Sequence, residues 1–480
     1  MAFISKDIIM SADFLTALAA IDDIALFDTP ADMQPFLTDW RKRHQGRALA
    51  VVSPGTTAAV AAVVALCNEH RVPIFPQGGN TSLCGSSVPD ERGNGIVVSL
   101  RRMNRILAVD AQDNSIIVEA GCILAHIQDK ALEMDRLFPM SLGAEGSCQI
   151  GGNVSTNAGG TAVLRYGNTR ELVLGVEAVL PNGTIWSGLR TLRKNNTGYD
   201  LKNLLVGAEG TLGIVTKVAL RLFPLPRHRV TGFTAVSSIE AASRLASDVQ
   251  NAFPGTVSAV ELLSASQLAI VMDHLPNAVR PLAVTAPWYV LVELAGMEDE
   301  EALSARFTEL LGAGMARADI IDAVIATNER QRQQLWHIRH GVAEANMKAG
   351  RGVAHDAAVP PARIPELVNR SQALLASRYP KAIPVVVGHL GDGNLHYYAM
   401  FRRPDWAQMP EAETIAAINR AIYDIAVELG GTFSAEHGIG SIHLDDMRRY
   451  KSEGELSAMA ALKAALDPLG IMNPGRVLPA

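Results

Sequence analysis

Between residues 146 and 160 the chain reads Gly146-Ser147-Cys148-Gln149-Ile150-Gly151-Gly152-Asn153-Val154-Ser155-Thr156-Asn157-Ala158-Gly159-Gly160, a run almost free of charge and bulk. Its glycines would be wasted inside a strand, and they are too frequent for a stable helix, so a loop is expected. Such backbone suits a place where successive N–H groups come close to a large ligand. Upstream, Pro76-Gln77-Gly78-Gly79-Asn80-Thr81-Ser82 follows a strand-like stretch at 72–75 and offers a similar cradle, although a plain surface turn explains it too. Downstream lies a third run, Gly207-Ala208-Glu209-Gly210-Thr211-Leu212-Gly213-Ile214. Three such loops within one region point to an extended cofactor. Neither G-x-G-x-x-G opening a helix nor G-x-x-x-x-G-K-[ST] occurs, so the cofactor is not held by a Rossmann turn or a P-loop.

Around these loops the pattern reads as α+β with antiparallel pairing. A strand at 48–52 leads to Ser53-Pro54, an N-cap and first-turn pair, and then to a helix at 57–70. Hairpins are expected where 106–109 and 116–119 flank Gln112-Asp113-Asn114, and where 176–180 and 184–186 flank Pro181-Asn182-Gly183. From about 225 to 385 helical periods dominate, and a last helix is expected at 453–466. At 480 residues two or three domains are the prior. A net charge of -6 without a block of like charges excludes a nucleic-acid footprint. Four well-separated cysteines suit a reducing compartment and argue against disulfides or thiolate zinc. The first residues lack the layout of a secretory or transit segment, and no transmembrane stretch is found. A cytoplasmic location is therefore expected, with peripheral contact at the inner face of a membrane left open.

A second constellation lies at Val387-Gly388-His389-Leu390-Gly391-Asp392-Gly393-Asn394-Leu395-His396. Asp392-Gly393 signals a two-residue turn between apolar runs. That register pairs Gly391 with Asn394, Leu390 with Leu395 and His389 with His396, placing two imidazoles side by side as a metal site needs. Glu436, in Ser434-Ala435-Glu436-His437-Gly438, is a candidate third ligand. Two histidines and a carboxylate with an open position form a catalytic zinc set, and manganese or iron also fits.

PQGGNTSL (76–83), GSCQIGGNVSTNAGG (146–160), LRYGN (164–168), NNTGYDLKNLLVGAEGTLGIVT (195–216) and LDPLGIMNPGRVLP (466–479) together resemble the flavoproteins of the vanillyl-alcohol oxidase and p-cresol methylhydroxylase (PCMH) superfamily. Within it the chain resembles the FAD-dependent D-2-hydroxyglutarate, D-lactate and glycolate dehydrogenases. The resemblance implies an N-terminal helical segment (1–45), a two-subdomain PCMH-type FAD-binding domain (46–224), a substrate domain with an antiparallel sheet and flanking helices (225–430), and a C-terminal segment returning to the flavin (431–480). It further implies noncovalent FAD held by Gln77, Gly78, Gly79, Asn80, Thr81, Ser82, Ser147, Gly152, Asn153, Thr156, Asn157, Gly159, Ile214 and Asn473. His389, His396 and Glu436 match the family's ligands for a divalent metal, Zn2+ or alternatively Mn2+. His437 matches its catalytic base, and Arg339 its partner for the substrate carboxylate; a planar guanidinium suits bidentate carboxylate binding. His389, His396, Asn394, Tyr398, Arg339 and His437 are expected around the substrate.

The implied reaction oxidises a D-2-hydroxy acid to the 2-oxo acid. Metal coordination lowers the hydroxyl pKa, a neutral histidine takes the proton, and the α-hydrogen leaves as hydride to flavin N5. Ala354 and Ala343 stand where the hydroxyglutarate enzymes have a lysine and a threonine, and Tyr398 replaces an asparagine. The distal pocket has thus lost partners for a second carboxylate, which favours a neutral tail such as that of D-lactate unless Arg351 or His355 compensates. The implied partners are a small 2-hydroxy acid and a redox partner: an electron-transfer flavoprotein, a quinone or a cytochrome. A homodimer is compatible with such folds. The rivals are an O2-using oxidase on the same fold, a zinc hydrolase and a flavin-bearing module without turnover.

Overall fold

The computed structural model describes residues 13–479, so the reading of the first dozen residues lies outside them. The chain divides into two compact units: residues 1–159, 167–225 and 436–480 in the first, residues 160–166 and 226–435 in the second.

In the first unit, strands β1 (Ile24–Phe27), β2 (Ala50–Pro54), β3 (Ile74–Gln77) and β4 (Ile96–Ser99) form a sheet of order β1-β2-β4-β3. β1 is antiparallel to β2, whereas β2, β4 and β3 run parallel, which corrects the expectation of antiparallel pairing here. The reason is the helix Thr57–His70. It buries Val60, Val63, Val64 and Cys67, and this apolar face makes it a crossover between β2 and β3. Its N-cap is Thr56, accepting from the Ala59 N–H, rather than Ser53. Ser53 and Pro54 finish β2, and the Ser53 hydroxyl donates across the sheet to the Ser99 carbonyl. The N-terminal segment expected to be helical supplies β1 as well as the helix Pro30–Leu37.

β5 (Ile106–Asp110), β6 (Ser115–Glu119), the two-residue β7 (Arg136–Leu137), β8 (Val173–Val179), β9 (Ile185–Ser187), β10 (Ile214–Arg221) and the two-residue β11 (Phe223–Pro224) follow. They form an antiparallel sheet of order β5-β6-β10-β8-β9 and a short β11-β7 pair. Both expected hairpins are present, closing at Asp110 with Ser115 and at Val179 with Ile185.

In the second unit, β12 (His228–Val236), β13 (Val257–Ser264), β14 (Trp288–Gly296), β15 (Ile320–Ile325), β16 (Arg351–Ala358), β17 (Ile383–His389) and β18 (Asn394–Phe401) make one antiparallel sheet of order β15-β12-β14-β13-β17-β18-β16. Side chains alternate between its faces. Val260, Leu262, Val386, Leu395, Tyr397, Val353 and Ala357 face a core shared with helices Ile239–Ala252, Glu300–Ala316, Ile364–Arg378 and Glu411–Glu428. Ala259, Leu263, Leu291 and Val387 face a second core under helices Ala265–His274, Glu329–His340 and Val342–Ala349. With helices on both faces, the strands are apolar almost throughout. Among the described residues no helix is long and apolar enough to cross a membrane.

Candidate functional site

In the first unit the three glycine runs converge. β3 delivers Gln77, whose amide donates to the Phe36 and Ser87 carbonyls. The Asn80 amide donates to Thr38 and accepts from the Ser87 hydroxyl. These two side chains therefore brace the loop, leaving backbone to face a ligand. Gly79 admits the second run: a Cβ there would lie 2.2 Å from the Ser147 carbonyl oxygen. Ser82 bonds Ser86, and the Ser147 hydroxyl reaches the Ala144 carbonyl.

The second run departs from expectation, because Ile150–Thr156 is a short helix. Tertiary contact outweighs the poor propensity of its glycines. Gly151 lies so close to β6's exit that a Cβ would come within 2.7 Å of the Ala120 Cβ, and Ile150 and Gly151 donate to the Cys122 and Ala120 carbonyls. In front of Gly152 there is open space, and Thr156 bonds back to the Gly152 carbonyl. Asn157 ends the helix in the left-handed region and accepts from the Arg170 N–H. The third run is tied to the second by Gly207 N–H to Val154 and Glu209 N–H to Ser155, and Ile214 follows it, buried at the start of β10. Asn473 closes the cluster, its amide donating to the Ser86 and Glu209 carbonyls. Asn80, Asn157, Glu209 and Asn473 are all non-glycine residues at positive φ, a concentration of strain that marks functional backbone. The Gln149 Oε1, Asn153 Oδ1 and Asn473 Oδ1 atoms are buried without a partner. Buried acceptors normally find donors, so these fit the N–H and O–H groups of a flavin dinucleotide.

Glu436 belongs to this unit and stands against the end of the second run: a Cβ on Gly159 would meet its Oε1 at 2.6 Å. His437 follows it, half-buried. Past His437 the chain is pinned by Glu209, a buried carboxylate accepting from the Ile439 and Gly440 N–H groups at 2.6 and 2.8 Å. Burial pushes the Glu209 pKa up, and the two N–H donors oppose that rise. Glu209 is not among the residues expected from the sequence, although a lone acid inside an otherwise uncharged glycine run is a signal for it.

In the second unit the histidine hairpin forms in a different register. His389 pairs with Asn394, Gly388 with Leu395 and Val387 with His396, so the loop is Leu390-Gly391-Asp392-Gly393 rather than Asp392-Gly393. The cause is Leu390, 1% exposed, which leaves the ladder to enter the core while its N–H bonds the Val260 carbonyl. His389 and His396 become diagonal neighbours on one face, with ring centroids 5.6 Å apart. Each has a buried carboxylate across the next strand, Glu261 opposite His389 and Asp356 opposite His396. His389 Nδ1 lies 2.8 Å from Glu261 Oε1, and His396 Nδ1 lies 3.6 Å from Asp356 Oδ1. For His389 this assigns the proton to Nδ1 and the lone pair to Nε2, the state a metal ligand requires; the donor set fits a divalent cation.

Arg339, from the helix Glu329–His340, enters the same face. Its Nε donates to Glu261 Oε2 at 2.5 Å, and its Nη2 lies 3.5 Å from His389 Nε2. Burial would raise the Glu261 pKa, but the Arg339 guanidinium and His389 outweigh it and hold the carboxyl at about 2. Glu261 went unnoticed in the sequence, although an acid in the apolar strand Val260-Glu261-Leu262-Leu263 is a recognisable signal. Asn394 donates to Asp356 Oδ1, and Tyr398 lies two residues beyond His396 on the same face, opposite Ala354. The Ala435 N–H is held by Asp356, through both its carbonyl and its carboxylate. The second unit thus brings Arg339, His389, His396, Asn394 and Tyr398 to one face; Glu436 and His437 fall in the first unit, starting one residue after Ala435.

Two family models match: an FAD binding domain over residues 48–188, and the C-terminal domain of FAD linked oxidases over residues 225–477. The mitochondrial D-2-hydroxyglutarate dehydrogenase of Arabidopsis thaliana is 35% identical over 99% of this chain and 82% of its own. The D-2-hydroxyglutarate dehydrogenase of Xanthomonas citri pv. viticola is 34% identical over 96% of each chain. Among solved structures, p-cresol methylhydroxylase with substrate bound superposes with a TM-score of 0.76 at 16% identity, covering 97% of this chain and 96% of the other.

Proposed function

This chain belongs to the FAD-dependent D-2-hydroxy acid dehydrogenases, and we propose that its substrate is a D-2-hydroxy acid with a neutral tail, bound at a metal centre of His389, His396 and Glu436. The observation that carries this reading is the paired imidazoles on one sheet face, each backed by a buried carboxylate, with Arg339 beside them.

Arg339 binds the substrate carboxylate through the edge of its guanidinium not committed to Glu261. His437 takes the hydroxyl proton. Its position directly after Glu436 keeps base and ligand together in sequence, and the loop behind it is fixed by Glu209. When bound, FAD supplies the hydride acceptor, and the divalent metal, zinc or alternatively manganese, supplies the positive charge that lowers the hydroxyl pKa. Gln149, Asn153 and Asn473 offer their unpaired oxygens to the flavin dinucleotide. Electrons leave to a redox partner such as an electron-transfer flavoprotein, a quinone or a cytochrome.

The neutral tail follows from what stands on the site face. Ala354 and Tyr398 share that face with His396 and Asp356, and neither carries a cation. Arg351 and His355 stand on the opposite face. Arg351 pairs with Glu411 and packs over Trp406, while His355 is buried with its Nδ1 bonded to the Tyr397 carbonyl. Neither replaces a lysine at Ala354.

Chelation tests the metal. Treatment with EDTA should abolish hydroxy-acid oxidation and leave the protein yellow; a metal-free enzyme with full activity would contradict the ligand assignment.

A further inference from the structure

Glu261 divides its two oxygens between the two groups that would grip opposite ends of the reacting fragment. Oε1 faces His389 Nδ1 and Oε2 receives Arg339 Nε, at 2.8 and 2.5 Å. Its side chain is 1% exposed, so neither contact is exchanged for water. Register adds to this: Glu261 pairs directly with His389 across β13 and β17, so the backbone sets the two side chains side by side on one face. On its other side, Arg339 Nη2 sits 3.5 Å from His389 Nε2, the ring nitrogen turned away from Glu261.

We infer that Glu261 is a positioning residue shared by the metal ligand His389 and the carboxylate clamp Arg339, so that metal affinity and substrate affinity depend on one buried side chain. The inference rests on the metal reading above. Two consequences follow. Glu261 fixes His389 as the Nδ1-protonated tautomer, presenting Nε2 to the ion; partners of this kind are worth 10- to 100-fold, roughly, in metal affinity. It also holds the guanidinium close to the ligating nitrogen. That closeness suits a substrate whose hydroxyl and carboxylate lie on adjacent carbons.

The experiment measures zinc binding to the flavin-loaded enzyme by competition with a chromogenic chelator, in wild type, Glu261→Gln, Arg339→Met and the double variant. In Glu261→Gln zinc affinity should fall about 10- to 100-fold, while flavin content stays that of wild type. Because Glu261→Gln leaves a buried arginine unpaired and can fail to fold, the double variant supplies the second reading. It lacks that stranded charge and should bind zinc as weakly as Glu261→Gln. Arg339→Met alone should bind zinc at least as tightly as wild type, yet show a KM for the preferred hydroxy acid raised by an order of magnitude or more. Equal zinc affinity in wild type and the double variant would overturn the inference. If wild type itself failed to bind zinc, the metal reading would fall instead, and the two failures are distinct.

Discussion

On the single strand β16, adjacent residues stand on opposite sides of the sheet. Ala354 and Asp356 point to the site face, whereas Arg351, Val353 and His355 point to the helix-covered core. Counting cations near Ala354 in the sequence therefore misleads, since both candidate replacements are on the wrong side. Restoring the cation at the right place should change substrate choice. Ala354→Lys should raise kcat/KM for D-2-hydroxyglutarate by ten-fold or more relative to D-lactate, read by steady-state kinetics; an unchanged ratio would remove Ala354 from the tail pocket. At His437, alanine should slow flavin reduction by about 10^2- to 10^4-fold with little change in substrate Kd, as stopped-flow spectroscopy would report. An unaltered reduction rate would end its role as base. His389, His396 and the glycines were legible in the sequence because turn chemistry and composition are local. Glu261 and Glu209 were marked in the sequence only as acids in apolar or glycine-rich surroundings; their roles were not legible, because each acts through a partner far along the chain, Arg339 in one case and the loop at 439–440 in the other.

Among elements, the hairpin β17–β18 carries the clearest lesson. The loop read as two residues has four, yet the histidines still share a face. Moving the partner of His389 from His396 to Asn394 shifts the register by two, and side chains alternate with period two. The face was thus readable although the pairing was not, since the burial of Leu390 that drew the loop out of the ladder is a tertiary effect. Gly393 is fixed in this turn at φ 92°, with the Val359 carbonyl 2.0 Å from where a Cβ would stand. Gly393→Ala should therefore weaken zinc binding and lower stability by about 1–3 kcal/mol while leaving flavin content unchanged. Gly79→Ala should do the converse, since a Cβ there strikes the Ser147 carbonyl within the flavin cluster of the first unit. Flavin absorbance and bound zinc in the two purified variants check the pair; loss of both from either variant would show that the two clusters are not separable. The helix within the glycine run and the parallel β2-β4-β3 pairing had the same origin as the hairpin shift: neighbours distant in sequence decided them.

For the molecule as a whole, the family and the fold class were readable from motifs spread over most of the chain; the resemblance also implied a C-terminal segment (431–480) returning to the flavin, and the contacts group residues 436–480 with the first unit. The four cysteines are all buried, and none is joined in a disulfide. Burial pushes the Cys122 thiol up to about 12 and Cys148 to about 11, and raises Cys67 further, so thiolate is scarce at neutral pH. The native enzyme should give no fast reaction with a thiol reagent, and all four thiols should react after unfolding in guanidinium; a rapidly reacting native thiol would contradict this burial. The central claim concerns turnover, and it is tested most directly by mixing the yellow enzyme anaerobically with a panel of D-2-hydroxy acids and following flavin bleaching. Rapid bleaching by neutral-tailed acids such as D-lactate, a slower response to D-2-hydroxyglutarate and slow reoxidation in air are the results expected. Preferential bleaching by D-2-hydroxyglutarate would contradict the neutral tail, and fast reoxidation by O2 would make the enzyme an oxidase.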